Sequence, residues 1–178
     1  DDGNALVREM LAQGIRVTSV PGPCAVTAAL SVSGLASDDG AFYFGGYLPD
    51  KQGPRVRQLR NCAAMSCPCV LYEYPRRIVA ILSDIAAVMP TRRVALLHEL
   101  SKVHESLHCD TASRLVQYYS KGSAAQLLSK GQVVLVIEGL QPDDAAVAST
   151  SGELVRKEEH YYRLVADHLS SCNGDVWA

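Results

Sequence analysis

The sequence lacks the features that identify a membrane protein or a strongly basic nucleic-acid-binding protein. No apolar run approaches the roughly 20 residues that a membrane-spanning helix needs. The formal charge of −2 gives no overall positive field, so any contact with RNA must come from a local patch. With 178 residues, 48% of them hydrophobic, the chain is expected to form one globular domain with a real core, or at most two small ones.

The usual metal-binding signatures are also missing. The six cysteines include no Cys-x-x-Cys pair, and Cys67 and Cys69 are too close for a common zinc knuckle, so we expect free thiols. The segment His104-Glu105-Ser106-Leu107-His108 matches the zinc-protease pattern H-E-x-x-H, which requires a helix. Here the segment is short and is followed at once by a helix-capping pattern at Thr111, so we predict no metal site.

What is present is an alternation of strand and helix patterns. Residues 16–20 alternate charged and apolar side chains, which favours a short strand, and Pro21-Gly22-Pro23 breaks it. Residues 24–33 then have a helical composition and end at Gly34. This order of strand, tight turn and helix is typical of α/β proteins.

The same alternation continues to the C-terminus. Further strands are predicted at 41–44, in the apolar run that begins at Cys69, and at 94–97, 105–109 and 133–137. Further helices are predicted at 4–13, 51–61, from Pro75 to about Pro90, after Thr111 and over 151–169.

Two of these strands end in acidic residues. Glu73 follows the apolar run that ends at Leu71, and Pro75 then opens a helix; Glu99 and Lys102 follow the strand at 94–97. In open α/β sheets ligands bind beyond the carboxyl ends of strands, so the two ends could line one cleft. The alternative is a solvated corner whose surface ion pairs contribute little energy.

The arginines are candidates for a local basic patch. Arg57 and Arg60 lie three residues apart on one face of the predicted helix at 51–61. Arg76 and Arg77 follow the strand end at Glu73.

Six motifs in order resemble those of the tetrapyrrole methylase superfamily, most closely the enzymes that methylate a cytidine ribose 2′-hydroxyl in small-subunit ribosomal RNA. They are Val20-Pro21-Gly22-Pro23-Cys24-Ala25, Ala29-Leu30-Ser31-Val32-Ser33-Gly34-Leu35, Phe44-Gly45-Gly46-Tyr47-Leu48-Pro49, Tyr72-Glu73-Tyr74-Pro75-Arg76-Arg77, His98-Glu99-Leu100-Ser101-Lys102-Val103-His104-Glu105 and Gly131-Gln132-Val133-Val134-Leu135-Val136-Ile137-Glu138-Gly139. The chain departs from the family pattern at Tyr74 (Ser in the family), Arg76 (His), His98 (Arg), Gln132 (Glu) and Gly45, where the RNA enzymes commonly have Glu.

The resemblance also implies a domain organisation. Asp1-Asp2-Gly3 resembles a family motif near the middle of a full-length enzyme, so we expect the second half only. Residues 1–140 are expected to form the C-terminal domain of the fold, a three-layer α/β/α domain around a roughly five-stranded mixed sheet. Residues 141–178 are expected to be a linker and a C-terminal helical extension.

The resemblance further implies an activity: S-adenosylmethionine-dependent methylation of small-subunit ribosomal RNA by a homodimer in the cytoplasm or an organelle. The alternatives are a tetrapyrrole or other small-molecule substrate, or a non-catalytic domain. The implied catalytic candidates are Glu73, Glu99 and Lys102, and the implied RNA contacts are Arg57, Arg60, Arg76 and Arg77. The implied donor-binding residues are Pro21, Gly22, Pro23, Cys24, Tyr72 and Leu100.

Overall fold

The protein is described here from a computed structural model, which covers residues 3–121 and 131–141. The strands are β1 (Tyr43–Tyr47), β2 (Cys69–Glu73), β3 (Arg93–His98), β4 (Ser106–Thr111) and β5 (Val133–Ile137). The helices are α1 (Gly3–Ala12), α2 (Ala25–Ser33), α3 (Gln52–Ala63), α4 (Ile78–Val88) and α5 (Ala112–Tyr119), and a short 3-10 turn at Pro75–Arg77 precedes α4.

The five strands form one mixed sheet in the order β1-β2-β5-β3-β4. β1 and β2 are parallel, whereas β5 is antiparallel to both β2 and β3, and β4 is antiparallel to β3. The central strand β5 consists of Val, Leu and Ile and is buried along its whole length, as a strand covered on both faces requires. The predicted mixed sheet is therefore confirmed.

Helices cover both faces of the sheet, which gives the predicted three layers. Helices α3, α4 and α5 bury one face, and the side chains from β2, β3 and β5 on that face include Leu71, Leu96 and Leu135. Helix α2 packs on β5 and β3 from the other side. The side chains of that second core are Val26, Ala29, Leu35, Val70, Ala95, Leu97, Val134 and Val136.

Most predicted elements are present with shifted ends, but two predictions need correction. The strand predicted at residues 16–20 is wrong: this segment belongs to no strand, and Val17 and Val20 are 42% and 91% exposed. Strand preference reflects packing on a pleated surface, and these side chains have no such surface to pack on. The strand predicted at 41–44 instead runs through Gly45 and Gly46, because Gly46 adopts φ +63° at a bulge that keeps β1 paired with β2.

Three parts of the predicted organisation lie outside the described residues. These are Asp1 and Asp2 of the N-terminal motif, residues 122–130 and, apart from Gln141, the extension predicted over 141–178, including its helix at 151–169. Within the described residues, none of the helices has the length and apolar character required to cross a membrane.

Candidate active site

The carboxyl ends of β2 and β3 meet at one edge of the sheet. Both strands are antiparallel to β5, and their last residues, Glu73 and His98, pair with the same residue, Val133. The two acid-ended strands predicted to line one cleft are therefore separated only by β5. This edge is where an open α/β sheet places its ligands.

A strained turn follows β3. Glu99 and Ser101 have φ values of 54° and 58°, a left-handed conformation that non-glycine residues adopt at a cost of about 1–3 kcal/mol each. Several contacts hold the turn: the Lys102 N–H donates to the Glu99 carbonyl at 3.0 Å, and Lys102 Nζ lies 2.9 Å from Glu99 Oε1. The Glu105 carboxylate also accepts a hydrogen bond from the Ser101 N–H.

Gly131, which precedes β5, makes room for this turn. Its φ is +85°, and a Cβ built on it would lie 1.8 Å from Glu99 Oε1. The hydrogen bond from Lys102 lowers the pKa of Glu99, and the Gln132 N–H also lowers it. Glu99 is therefore held as a carboxylate between Lys102 and the start of β5.

A cleft of about 580 Å³ lies between the Pro-Gly-Pro turn and the turn after β3. Its lining residues are Gly22, Pro23, Cys24, Ala25, Thr27, Ala28, Ser31, Leu100 and Ser101. A second cavity of about 190 Å³ shares Ala25 and Leu100 with it and is also lined by Glu99, Lys102 and Gly131. The structure thus brings most of the predicted donor-binding residues beside two of the predicted catalytic residues.

Cys24 and Tyr72 lie on the same side of the sheet. Cys24 immediately precedes α2, where the N–H groups of Thr27 and Val26 lower the pKa of its thiol. Tyr72 packs against the core beneath α2, and its pKa is raised by burial and by the neighbouring Cys24. Tyr72 and Pro21 border the cleft region but are not among the residues that line either cavity.

Glu73 extends to the opposite face of the sheet, since side chains alternate along β2. It is fully buried: Oε1 accepts a hydrogen bond from the Tyr74 N–H at 2.8 Å and lies 3.4 Å from Arg77 Nη1. Within the described part of the chain, Oε2 has no hydrogen-bond partner, and burial raises the pKa of this carboxyl. The structure therefore does not bring Glu73 together with Glu99 and Lys102.

Arg77 is occupied by contacts within the fold. Its Nη2 donates to the carbonyls of Leu48 and Pro49 at 3.0 Å each, and its Nη1 lies 3.0 Å from Asp50 Oδ1. This guanidinium joins the segment after β1 to the end of β2. We assign it a structural role, although the sequence predicts an RNA contact.

The other predicted arginines are exposed. Arg76 lies over the ring of Tyr74, with Cζ 5.5 Å from the ring centroid. Arg57 and Arg60 are exposed on α3, whereas Arg55 on the same helix is buried against Asp84, with Nε 2.6 Å from Oδ2. The exposed guanidiniums thus belong to two different elements, α3 and the 3-10 turn before α4.

The H-E-x-x-H segment does not form a helix. His104 and Glu105 lie in the turn before β4, and His108 lies on β4, with its ring 4.7 Å from that of Tyr118. No group of three His, Cys, Asp or Glu side chains in residues 3–121 and 131–141 could hold a metal ion.

Some residues of the site were not identified from the sequence. Ala25, Thr27 and Ser31 line the cleft because α2 begins there, and short side chains carry no chemical signature of their own. The position of Gly131 before a predicted strand indicates a turn. It does not indicate that the Glu99 carboxylate packs against this glycine.

The sequence matches one protein family and several curated proteins. The family described as Tetrapyrrole (Corrin/Porphyrin) Methylases matches residues 1–116. A "Ribosomal RNA small subunit methyltransferase I" from Xylella fastidiosa is 36% identical over 170 residues, which are 95% of this chain and 58% of that protein. A protein of the same name from Coprothermobacter proteolyticus is 41% identical over 122 residues, 68% of this chain and 54% of that protein. The chain therefore spans a little more than half the length of these relatives.

Solved structures show the same fold at low sequence identity. A cobalt precorrin-4 methyltransferase of cobalamin biosynthesis matches with a TM-score of 0.53 and 14% identity, over 77% of this chain and 59% of that one. A uroporphyrin-III-C-methyltransferase from Thermus thermophilus matches with a TM-score of 0.51 and 17% identity, over 78% and 58% of the two chains.

Proposed function

Because the chain belongs to the tetrapyrrole methylase family, as its six motifs predict, we propose that it forms one side of the active site of an S-adenosylmethionine-dependent methyltransferase. The proposed substrate is the 2′-hydroxyl of a cytidine ribose in small-subunit ribosomal RNA. The observation that supports small-subunit ribosomal RNA as the substrate is the 36% identity, over 95% of the chain, to a protein named "Ribosomal RNA small subunit methyltransferase I". The cytidine 2′-hydroxyl is the expectation drawn from the motif resemblance.

The cleft fits the proposed donor. Its volume of about 580 Å³ is typical of a pocket for a small molecule. Backbone and small side chains at Gly22 and Ala25 leave room for an adenosyl group, and Leu100 supplies an apolar wall. When bound, S-adenosylmethionine supplies a methyl group carried on a cationic sulfur. We assign Gly22, Pro23, Cys24 and Leu100 to its binding, with Pro21 and Tyr72 shaping the border.

Lys102 is our candidate for the chemical step. A ribose hydroxyl is a poor nucleophile at neutral pH and needs a group that accepts its proton or stabilises the negative charge that develops on its oxygen. The Lys102 ammonium can provide that stabilisation beside the cleft, and Glu99 orients it through the 2.9 Å contact. Glu73 lies on the other face of the sheet and supports Arg77 instead.

The proposed partners are RNA and a second copy of the chain. Arg57, Arg60 and Arg76 are exposed and can contact RNA phosphates. We also propose a homodimer that acts in the cytoplasm or an organelle, the expectation drawn from the family resemblance.

Transfer of a labelled methyl group tests this function. The chain would be joined to the part of the Xylella fastidiosa relative that it does not match, and the product incubated with small-subunit ribosomal RNA and labelled S-adenosylmethionine. We expect the label at a cytidine ribose, no transfer by the chain alone, and strong reduction by Lys102→Ala. Transfer to a tetrapyrrole but not to RNA would overturn the choice of substrate.

A further inference from the structure

Four aromatic side chains form a continuous surface on one face of β1 and β2. We call Phe44, Tyr47, Tyr72 and Tyr74 the aromatic platform. The ring centroid of Tyr72 lies 4.9 Å from that of Phe44 and 5.7 Å from that of Tyr47, and Tyr47 stacks on Tyr74 at 5.0 Å with an interplanar angle of 17°. The bulge between Phe44 and Gly46 brings Tyr47 into register with Tyr72.

The platform lies on the face of the sheet that α2 covers over β5 and β3. Phe44, Tyr47 and Tyr74 are 44%, 40% and 41% exposed, although aromatic rings on a sheet normally provide much of the buried core. These three rings are thus partly exposed to solvent at the side of the domain where the sheet ends in β1.

Charge and position indicate what this surface binds. The Arg76 guanidinium over Tyr74 puts a cation at the rim of the platform, where it can meet a phosphate. At the other end, Tyr72 packs against the core beneath α2, and the first turn of that helix lines the cleft, so the platform adjoins the cleft. An extended ligand could therefore run from the cleft across the platform.

We propose that the aromatic platform stacks unpaired nucleobases of the RNA substrate while Arg76 contacts the adjoining phosphate. Every nucleobase presents an aromatic face, and base stacking on protein side chains is common in the binding of single strands. The guanidinium adds the complementary charge for the backbone. This proposal rests on the proposed function, because it assumes that the substrate is RNA.

Binding of a short unstructured RNA tests the platform. The dissociation constant of a fluorescein-labelled single-stranded oligonucleotide would be measured by fluorescence anisotropy for the chain and for Tyr47→Leu, Tyr74→Ser and Phe44→Leu. We expect each change to weaken binding by about 5-fold or more. The control is Tyr118→Leu, since Tyr118 is 46% exposed on α5 and is expected to leave binding unchanged. Thermal unfolding would verify that each variant is folded.

Ultraviolet cross-linking gives an independent measurement. Cross-linked peptides that contain Tyr47 or Tyr74 support the proposal. Wild-type affinity in all three platform variants overturns it, as does failure of the wild-type chain to bind the oligonucleotide. Sedimentation analysis tests whether a second copy of the chain occupies the platform instead. If the wild type is a dimer, and the platform variants are monomers with unchanged RNA binding, the platform is a dimer interface and the proposal is overturned.

The proposed function is judged separately, by methyl transfer with the joined protein. If that protein methylates RNA and the platform variants do so with an unchanged KM, the platform proposal fails while the function stands. If the wild-type joined protein transfers no methyl group to RNA, the function itself fails, whatever the oligonucleotide measurements give.

Discussion

The carboxylate of Glu99 packs against Gly131, in the space that the Cβ of any other residue at position 131 would occupy. Such a Cβ would lie 1.8 Å from Glu99 Oε1. This contact joins the turn after β3 to the start of β5 and fixes the carboxylate that pairs with Lys102. The geometry of the candidate catalytic residues therefore depends on a residue that has no side chain.

Gly131→Ala is expected to displace Glu99 and weaken the Lys102 contact. The left-handed φ of +85° adds a strain of about 1–2 kcal/mol, and movement of the Glu99 carboxylate away from the new Cβ also breaks its contact with Lys102. Gly34→Ala is the matched control, because Gly34 has φ +66° and its Cβ would meet nothing within 4 Å. Urea unfolding should show a larger loss for Gly131→Ala; equal losses in the two variants would contradict the packing role of Gly131.

Lys102 is expected to act on the rate of methyl transfer rather than on folding. In the joined protein, Lys102→Ala should lower kcat about 100-fold, the size of effect seen when a charge-stabilising group is removed. Lys121→Ala, at an exposed position after α5, should leave kcat unchanged. Equal kcat values for wild type and Lys102→Ala would remove Lys102 from the mechanism.

The Glu99–Lys102 pair also predicts a pH dependence. The pKa of Glu99 is lowered from its ordinary value near 4.5, so the carboxylate persists above that value and is lost only as the pH falls through the lowered one. Between pH 5 and neutrality, the ratio of kcat for wild type to kcat for Glu99→Gln should therefore stay constant. A ratio that changes in this range would show that Glu99 titrates there and is not held by Lys102.

Arg77 and Arg76 are adjacent but are expected to differ in their contribution to stability. Arg77→Ala leaves Glu73 buried without its cation and removes the donor to two carbonyls, at an expected cost of about 3 kcal/mol in the free energy of unfolding. Arg76→Ala, at an exposed position, should change it by about 0.5 kcal/mol or less. Urea unfolding of both variants measures the difference, and similar losses would contradict the structural role assigned to Arg77.

Burial of Glu73 predicts a second pH effect, of opposite sign to that of a paired surface carboxylate. Its pKa is raised from the ordinary value near 4.5, so the folded state binds the proton more tightly than the unfolded state. Stability is then fully present below about pH 4.5 and falls as the pH rises through the raised value. As the pH rises through this range, the free energy of unfolding of the wild type should fall relative to that of Glu73→Gln. Parallel pH profiles of the two proteins would contradict the raised pKa of Glu73.

Much of the fold could be predicted from local pattern. Five consecutive β-branched or Leu residues predicted β5, and that strand is the buried centre of the sheet, with apolar side chains on both of its covered faces. Residues 16–20 carried an equally regular alternation yet form no strand, since pairing depends on a neighbour that local sequence does not specify.

The candidate site was predictable in its composition but not in its geometry. Strand ends placed Glu73 and Glu99 at one edge of the sheet, but whether a side chain there faces the cleft depends on which face of the sheet α2 covers. The left-handed turn could not be predicted, because the two residues with positive φ, Glu99 and Ser101, are not glycines. Stacking of Tyr47 on Tyr74 requires the bulge in β1 and the register with β2, which are properties of the folded sheet.

We propose that this chain forms one side of a methyltransferase that acts on ribosomal RNA. The most direct test is nucleoside analysis of small-subunit ribosomal RNA after incubation with labelled S-adenosylmethionine and the joined protein. We expect labelled 2′-O-methylcytidine with the wild-type sequence and a strong reduction with Lys102→Ala. Absence of label from the RNA, with the joined protein folded and able to bind S-adenosylmethionine, would contradict it.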